Sequence, residues 1–504
     1  MTEPVGSRTM PTHRILIRAP KDPTQTLSLE ASFAHGPNGV FGANSGNLLF
    51  AESVFRTLSV PNIDLVPDSF TTERTGSDRA HASRIKDEFN GFVVPLANAF
   101  REQFRPALRR LTTVVTELDI PVTVTGVGAQ LPSSGDLSGV SDALNEDVRA
   151  FVSAVLDRSA SVGVRGEITK DYLASLGFGD DHIDVIGCPS MFDFRGNAPT
   201  IEKKLNSLNP TSKLAVNITP TVPGSAEMLR RHHKRFTDIV FVPQEHRELG
   251  LLLWGEPIAG WNKDLPGTLD HPYHHDGQVR FFVDARTWHE FMATRDFAFG
   301  TRIHGNIAAL AAGTPSVVLT FDSRTAELAS YHGMPAEPVG RNGIGECTAE
   351  SLFNRADFSE LNTRRQPTFE RWIDFLERNG LRHVHQPGNQ NEAFDEKLRT
   401  AQLAPAATPV RSSNGAELAS RLRWLCGSTK SPAADRYVPP FAPKPICPPK
   451  PSDDSELEQV VQTLKYEVTS VSRRARENDE YISALRKRAA KRLLSTRSRR
   501  SGRP

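Results

Sequence analysis

The sequence is poor in cysteine and lacks the spacings that mark a metal site or a disulfide framework. Its four cysteines lie far apart along 504 residues: Cys188, Cys347, Cys426 and Cys447. No CxxC pair occurs, which argues against a structural zinc site and against a disulfide-stapled fold. Reduced thiols are typical of the cytoplasm, and this is the compartment that we expect.

Long apolar runs are also missing. The longest candidate, residues 307–321, is interrupted by Gly313, Thr314 and Pro315, so it falls short of the roughly 18 residues that a membrane-spanning helix needs. The first thirty residues carry no apolar segment of the kind found in a secretory signal. Any membrane contact is therefore expected to be peripheral, on the inner face.

Two nucleotide-binding motifs are absent as well. The stretch Gly126-Val127-Gly128-Ala129-Gln130 is glycine-rich, but Leu131 stands where a dinucleotide fingerprint needs its third glycine. No GxxxxGK[ST] phosphate loop occurs. With 38% hydrophobic and 24% charged residues, the chain nevertheless has the composition of a globular protein.

Charge is distributed unevenly along the chain. Residues 461–504 carry 13 basic and 4 acidic side chains, a balance of +9, while the remaining residues balance at −7. A basic tail of this kind is typical of proteins that meet a polyanion such as an anionic membrane. No motif indicates a module that reads nucleic-acid bases, so we expect no specific nucleic-acid partner.

The tail also carries an apolar seam with a 4,3 spacing, in which Asn478 is the polar position. The seam comprises Leu457, Val461, Leu464, Val468, Val471, Ala475, Ile482, Leu485 and Ala489. This spacing predicts a coiled coil over residues 455–504 and hence a homo-oligomer, with a solvated amphipathic helix as the alternative. Prolines cluster over residues 429–454, which predicts a stiff extended linker outside any core.

Between these ends, apolar strand-like runs alternate with helical periodicity, which predicts an α/β fold with parallel sheets. We expect a lead-in over 1–30 with one strand at 14–18, α/β halves over 31–200 and 201–340, and a helical extension over 341–428. Strands are predicted at 92–96, 122–127, 183–186, 214–218, 238–242, 279–283, 297–300 and 316–320.

Three glycine-rich segments are candidates for ligand contact at strand ends. Gly42-Ala43-Asn44-Ser45-Gly46-Asn47 leads into a helix, and Gly126 to Gln130 follows a strand. Val164-Arg165-Gly166-Glu167 places a guanidinium at a strand-to-helix boundary, where it can bind a carboxylate or phosphate or form an ion pair with Glu167. Plain turns explain the first two equally well.

The segment Asp296 to Asn306 is the most informative. It predicts a strand ending at Gly300, a helix beginning near Gly305, and Arg302 and His304 on one face of extended backbone between them. A permanent cation beside a group that exchanges protons suits an anionic ligand and acid–base chemistry. Cys188, in Gly187-Cys188-Pro189-Ser190, has no neighbour in sequence that would activate it, and we interpret it as structural.

Taken in order, these motifs resemble those of the polysaccharide pyruvyl transferase family over about residues 31–340. The resemblance implies two Rossmann-like halves arranged as in GT-B glycosyltransferases. It also implies transfer of pyruvate from phosphoenolpyruvate to a saccharide of the cell envelope as a cyclic ketal, with release of phosphate and without a metal or other cofactor.

By the same resemblance, the catalytic and donor-binding residues are Arg165, Arg302 and His304. The expected substrate-binding residues are Asn44, Gly46, Asn47, Gly126, Gly128, Gln130, Glu167 and Gly305. Asn47 departs from the family, which usually has Asp there, and this bears on how the acceptor is handled. Glu167 and Asp296 are the candidates for the base that activates a sugar hydroxyl.

Two other functions stay open. One is a GT-B glycosyltransferase that uses a nucleotide sugar, with Glu327 holding the ribose hydroxyls. The other is a degenerate enzyme body that acts as a scaffold at a membrane. The adjacent histidines at 232–233 and 274–275 are interpreted as loop residues and not as metal ligands.

Overall fold

The computed structural model describes residues 13–35, 38–74, 78–131, 139–193, 198–340, 343–430 and 437–443, with the side chains of 425–430 left out. The predicted coiled coil and most of the proline-rich segment lie outside these residues. No helix among them is both long and apolar enough to cross a bilayer.

The first half is built on a four-stranded parallel sheet in the order β2-β1-β3-β4. Its strands are β1 (His13–Ile17), β2 (Ile63–Pro67), β3 (Gly91–Pro95) and β4 (Val122–Thr125). A further parallel pair, β5 (Val162–Val164) and β6 (Ile183–Val185), joins it through a bridge between Val127 and Val164. Because β1 pairs with both β2 and β3, the segment expected to be a lead-in supplies an inner strand of this sheet.

Helices cover the faces of this sheet, as the near-continuous apolar strands require. They are α1 (Leu29–Ala34), α2 (Gly46–Leu58), α3 (Arg79–Glu88), α4 (Arg105–Glu117), α5 (Asp142–Leu156) and α6 (Glu167–Ser175). Local sequence sets several of their starts. The Ser141 hydroxyl accepts from the Leu144 amide at α5, and Pro106 occupies the first turn of α4, where no backbone donor is needed.

The second half contains a five-stranded parallel sheet in the order β11-β10-β9-β7-β8. The strands are β7 (Lys213–Asn217), β8 (Asp238–Phe241), β9 (Phe297–Gly300), β10 (Ser316–Thr320) and β11 (Ala336–Pro338). Its helices are α7 (Ser225–Arg235), α8 (His246–Trp254), α9 (Pro272–His275), α10 (Ala285–Ala293), α11 (Ile303–Ala311) and α12 (Ser323–His332). The α/β prediction with parallel sheets is confirmed.

The strand predicted at 279–283 does not form. This apolar segment is buried but makes only isolated bridges, from Val279 to Phe241 and from Phe281 to Ala407. Apolar content alone cannot distinguish a sheet strand from a buried connection.

Four helices follow: α13 (Ala349–Arg355), α14 (Ser359–Arg378), α15 (Glu392–Thr400) and α16 (Gly415–Lys430). Helix α14 contributes Trp372, Phe375 and Leu376 to a buried cluster that also contains Phe50 of the first half and Leu310 of the second. The halves therefore share one apolar core, which α14 completes.

Residues 437–443, here called the strap, contradict the prediction that the whole proline-rich segment lies outside the core. Phe441 is 2% exposed and packs edge-on against Phe89, while Tyr437 is 6% exposed and its hydroxyl lies 2.7 Å from that of Ser69. Arg84 stacks on Phe441 and donates to the carbonyl of Ala442. Aromatic residues set among the prolines thus anchor this part of the chain on the first half.

We expect Phe441→Ala to lower the free energy of unfolding by about 3 to 5 kcal/mol, because a fully buried ring is lost. Val438→Ala, at a residue that is 74% exposed in the same strap, is the matched control and should change it by less than about 0.5 kcal/mol. Chemical denaturation of the full chain measures both. Equal effects of the two variants would mean that the strap is not docked.

Candidate functional site

The first glycine-rich motif lies where the two halves meet. The amide of Ser45 donates to the carbonyl of Gln244, and the amide of His246 donates to the carbonyl of Ala43, each at 2.9 Å. Ala43 reaches this position with a φ of 75°, in the left-handed region. The motif therefore connects the start of α2 to the start of α8.

The two asparagines of this motif hold its own loop. Asn44 accepts the Gly46 amide at 2.8 Å, and the Asn47 side chain donates to the carbonyls of Phe41 and Gly42 at 3.0 and 3.3 Å. A deprotonated aspartate at position 47 could not make these two donations. The departure from the family's usual Asp thus has a structural use in this chain.

His304 lies in the first turn of α11, directly over the start of α2. A Cβ atom placed on Gly46 would come within 2.5 Å of His304 Nδ1, so only glycine fits beneath the imidazole. Its Nε2 is 3.9 Å from the Cys188 Sγ atom. Burial, with smaller contributions from the Arg165 and Arg324 guanidiniums, lowers the pKa of His304 to about 3. The imidazole is therefore neutral at physiological pH in the free protein.

Arg302 is placed differently from the prediction. It is the N-cap residue of α11, so Arg302 and His304 do not share a face of extended backbone. The guanidinium donates from Nε to the carbonyl of Ile218 at 3.0 Å and from Nη2 to Glu245. The ion pair with Arg302 in turn keeps the pKa of Glu245 low despite its burial. Arg302 thus connects two segments of the second half, the end of β7 and the start of α8.

Arg165 is the deepest cation of the site. It follows β5 as predicted, is 3% exposed, and makes no hydrogen bond from Nε or Nη2 to any described residue. Gly128 makes room for it, since a Cβ there would lie 3.1 Å from Arg165 Cδ. Burial lowers the pKa of this guanidinium, but a group with an ordinary pKa above 12 stays charged. A buried, unpaired cation is costly unless a ligand pairs with it.

Gly126 and Gly305 are also required by close packing. Gly126 has a φ of 66°, and a Cβ there would meet Phe50 at 2.9 Å. A Cβ on Gly305 would lie 2.7 Å from Asn217 Nδ2 and 2.8 Å from Gln244 Nε2. The absence of a side chain at both glycines therefore allows these neighbouring side chains to pack close to the site.

Cys188 has the surroundings of a structural residue, as the sequence indicated. Its thiol is buried and lies 2.8 Å from the Ser190 hydroxyl, and its amide donates to His332 Nε2 at 3.0 Å. Burial raises the pKa of the thiol, which disfavours the thiolate that a nucleophile requires.

Glu167 and Gln130 are exposed. Among the described residues, the Gln130 side chain makes one long hydrogen bond, which it accepts from the Asn98 side chain at 3.5 Å. Glu167 begins α6 and lines an outer groove of about 420 Å³ with Tyr331 and Arg371.

Asp296, the other candidate base, accepts the Lys213 amide at 2.7 Å at the start of β9. Arg302 and His304 follow the opposite end of this strand. Asp296 is therefore removed from them by the length of the strand and is not the base.

Glu327 joins the two halves and is not free to bind a ribose. It is 5% exposed; one oxygen accepts the Thr169 amide at 2.7 Å, and the other lies 3.2 Å from the Thr169 hydroxyl. It therefore caps the N-terminus of α6 from α12, where a negative charge is favourable. Because both oxygens of Glu327 are engaged by Thr169, this residue is not available to bind the ribose hydroxyls, as the nucleotide-sugar alternative required.

The histidine pairs lie in helices α7 and α9 and not in loops. His232 accepts the Ala349 amide at 2.9 Å, and His274 Nε2 lies 2.9 Å from the carbonyl of Pro266. In the part of the chain that the structure describes, no three His, Cys, Asp or Glu side chains are grouped so that they could hold a metal ion.

Sequence reasoning missed Arg324, in the first turn of α12, and Arg101, which follows β3. Arg324 acts electrostatically on both His304 and Arg165 and lowers their pKa values, and Arg101 is likewise affected by Arg324. A usable signal was present in the sequence: Arg324 follows strand β10 and lies two residues after a helix-capping aspartate, Asp322.

Comparison with known proteins identifies one family. A sequence model described as "Polysaccharide pyruvyl transferase" matches residues 44–323, which include every motif of the site except the first two residues of the first one. None of the curated proteins matches the chain.

Solved structures resemble the chain loosely. The UDP-GlcNAc 2-epimerase of Methanocaldococcus jannaschii, with UDP-GlcNAc and UDP, is 12% identical, with 72% of this chain and 99% of that chain covered and a TM-score of 0.36. The UDP-GlcNAc 2-epimerase of Neisseria meningitidis, bound to UDP-GlcNAc, is 10% identical, with coverages of 77% and 99% and a TM-score of 0.34. Likenesses at this level say nothing about activity.

We expect Gly46→Ala to displace His304 and to lower the free energy of unfolding by about 1 to 3 kcal/mol, the usual effect of overpacking. Gly340→Ala is the control, because a Cβ there meets nothing within 4 Å. Chemical denaturation compares the two variants. A Gly46→Ala protein as stable as the control would mean that the imidazole does not lie over the start of α2.

Proposed function

The chain belongs to the polysaccharide pyruvyl transferase family, and we propose that it transfers pyruvate from phosphoenolpyruvate to two hydroxyls of a saccharide, forming a cyclic ketal and releasing phosphate. The observation that carries this proposal is the guanidinium of Arg165, which is buried near the neutral imidazole of His304 and whose Nε and Nη2 have no hydrogen-bond partner among the described residues. This pair offers a binding site for a small anion next to a group that can carry a proton.

The donor supplies the negative charge that pairs with the guanidinium of Arg165. Phosphoenolpyruvate has a carboxylate and a phosphate on one three-carbon unit, and a guanidinium fork matches either group with two parallel hydrogen bonds. We assign the carboxylate to Arg165, because the carboxylate remains with the transferred group and belongs in the deepest part of the site. Arg165 Nε and Nη2 have no partner among the described residues and are the donors for it.

His304 carries the proton. Binding of the anionic donor stabilises the imidazolium, so the imidazole gains a proton in the complex. It gives this proton to the methylene carbon, which becomes a methyl group, and the central carbon becomes electrophilic. The first hydroxyl then bonds to that carbon, and its proton returns to the imidazole. The second hydroxyl forms the other C–O bond, the C–O bond to phosphate breaks, and the second proton leaves with the phosphate. A pKa lowered to about 3 in the free protein keeps the imidazole neutral until the donor is bound.

A screen of donors distinguishes the proposed function from two others. A nucleotide-sugar transferase would respond to nucleotide sugars and not to phosphoenolpyruvate, and the engagement of both Glu327 oxygens counts against it. A scaffold without activity would bind neither donor. Shifts in melting temperature with each donor, followed by phosphate release in a screen of saccharide acceptors, separate the three.

We expect Arg165→Ala to weaken the use of phosphoenolpyruvate by about 2 to 4 kcal/mol of binding and transition-state stabilisation. Arg165→Lys should recover little, because an ammonium lacks the two-donor fork. Calorimetric binding of phosphoenolpyruvate and phosphate release measure the effect. Arg79→Ala, at an ion-paired arginine whose side chain is 83% exposed, is the control; an Arg165→Ala protein as active as this control refutes the assignment.

His304→Gln should lower turnover by about 10²- to 10⁴-fold while leaving donor affinity within a few fold, because glutamine can hydrogen-bond but cannot relay a proton. Phosphate release at saturating donor measures turnover, and circular dichroism checks the fold. His275→Gln, at a residue whose side chain is 65% exposed, serves as the control. Near-normal turnover in the His304→Gln variant would reduce the role of His304 to positioning.

A further inference from the structure

We propose that an arginine cluster on the first half binds a diphosphate group of the acceptor saccharide. The cluster consists of Arg18, Arg74, Arg101 and Arg110 around the carboxylate of Glu73. None of these residues belongs to the motifs that carry the family resemblance. The site itself is argued from the contacts of these residues, and the role of its ligand as acceptor rests on the proposed function.

Glu73 lies at the centre of the cluster. Its two carboxylate oxygens accept from Arg18 Nε at 2.5 Å and from Arg18 Nη2 at 2.9 Å, and its backbone carbonyl accepts from Arg110 Nε at 2.7 Å. The loop that carries Glu73 follows β2 and turns sharply, because Ser69 and Phe70 both have left-handed φ values, 51° and 60°. This turn and the stacking of Arg18 on the Phe70 ring hold the carboxylate in place.

Arg74 and Arg101 are half-buried cations that form no ion pair with a described residue. Both interact electrostatically with the Glu73 carboxylate, but Arg18 already binds both oxygens of that group. Burial lowers the pKa of each guanidinium, although both stay charged at neutral pH. The Arg101 Nε atom is buried and makes no hydrogen bond to any described residue. Cations held in this way are costly unless an anion pairs with them.

The cluster has an excess of positive charge. Four guanidiniums face two carboxylates, that of Glu73 and that of the buried Asp68, so the excess is two charges when both carboxylates are ionised. Burial raises the pKa of Asp68 to about 6, so the excess is no smaller at lower pH. A diphosphate diester carries two negative charges, whereas a carboxylate or a phosphate diester carries one. The diphosphate is therefore the group whose charge matches the cluster.

The cluster lies at the edge of the first sheet that faces the second half. Arg18, Glu73 and Arg101 follow β1, β2 and β3, at the carboxyl ends of neighbouring parallel strands, where open α/β sheets bind ligands. Arg18 Nη1 also donates to the carbonyl of Pro95, the last residue of β3, at 2.7 Å. On the other side, Arg101 interacts electrostatically with Arg324 of the second half. A ligand in the cleft can thus reach the cluster.

The cluster is separate from Arg165, the cation assigned to the donor carboxylate. A Cβ on Gly128 would lie 3.1 Å from Arg165 Cδ and 3.2 Å from the carbonyl of Ala97. Gly128 therefore stands between Arg165 and the chain after β3, and Arg101 lies further along that chain. This arrangement suits a saccharide whose hydroxyls reach Arg165 and His304 while its charged end stays at the cluster.

The test measures the affinity of the full chain for inorganic pyrophosphate by calorimetry, alone and with phosphoenolpyruvate added to occupy the donor site. Arg101→Gln and Arg110→Gln should each weaken pyrophosphate binding by about tenfold or more, because each removes a charged donor. Both should change the affinity for phosphoenolpyruvate by less than about twofold. Arg109→Gln is the matched control: Arg109 precedes Arg110 on α4, but its side chain is 61% exposed and paired with Asp147.

Two further probes identify the source of the diphosphate. UDP represents a nucleotide-linked saccharide and geranyl diphosphate a lipid-linked one. The probe that binds more tightly than pyrophosphate, and loses this affinity in Arg101→Gln and Arg110→Gln, names the carrier of the acceptor.

Pyrophosphate affinity that is the same in Arg110→Gln as in Arg109→Gln, an equal loss of affinity for phosphoenolpyruvate, or a wild-type protein that does not bind pyrophosphate overturns the inference and leaves the proposed function standing. Pyrophosphate binding that depends on the cluster in a protein that does not bind phosphoenolpyruvate overturns the proposed function and keeps the diphosphate site. Circular dichroism of each variant excludes loss of the fold as the cause.

Discussion

The contact between His304 and Gly46 is the constraint on which the site depends. An imidazole from the second half lies so close to the first turn of α2 that no Cβ fits beneath it, and the backbone bonds of Ser45 and His246 fasten the halves beside this contact. The shared apolar core of Phe50, Leu310 and Trp372 lies behind it. The distance between the two halves is thereby fixed at the place where the chemistry is proposed.

A second constraint is electrostatic. Burying Arg165 destabilises the free protein, because water no longer solvates the guanidinium and no described residue accepts a hydrogen bond from its Nε or Nη2. Two other cations with little exposure are paired with carboxylates: Lys21 with Asp284 at 2.5 Å, and Arg302 with Glu245. A buried arginine at the strand ends, with Nε and Nη2 unpartnered among the described residues, is typical of a site prepared for an anion.

The sequence predicted the strands best where a short apolar run is bounded by residues that end a strand. The strands at 297–300 and 316–320 have their predicted bounds, since Gly300 and Pro315 mark their limits. The predictions from sequence were less accurate where the position of a side chain depends on residues that are distant in the sequence. Nothing near Arg302 reveals that Glu245, 57 positions earlier, will bind its guanidinium, and nothing near Glu327 reveals the amide of Thr169. Arg324 was missed because one arginine after a strand is common, and only the folded chain brings it to Arg165.

The strap has a mechanical consequence. Helix α16 stacks Trp424 on Trp254 of the second half, and the chain then crosses to the first half, where Tyr437 and Phe441 are anchored. The strap therefore lies on the first half, next to the loop after β2 that contains Ser69 and Thr71. A force applied to the strap would be borne first by this half, and it would reach His304 through the contacts that join the two halves, among them the contact at Gly46.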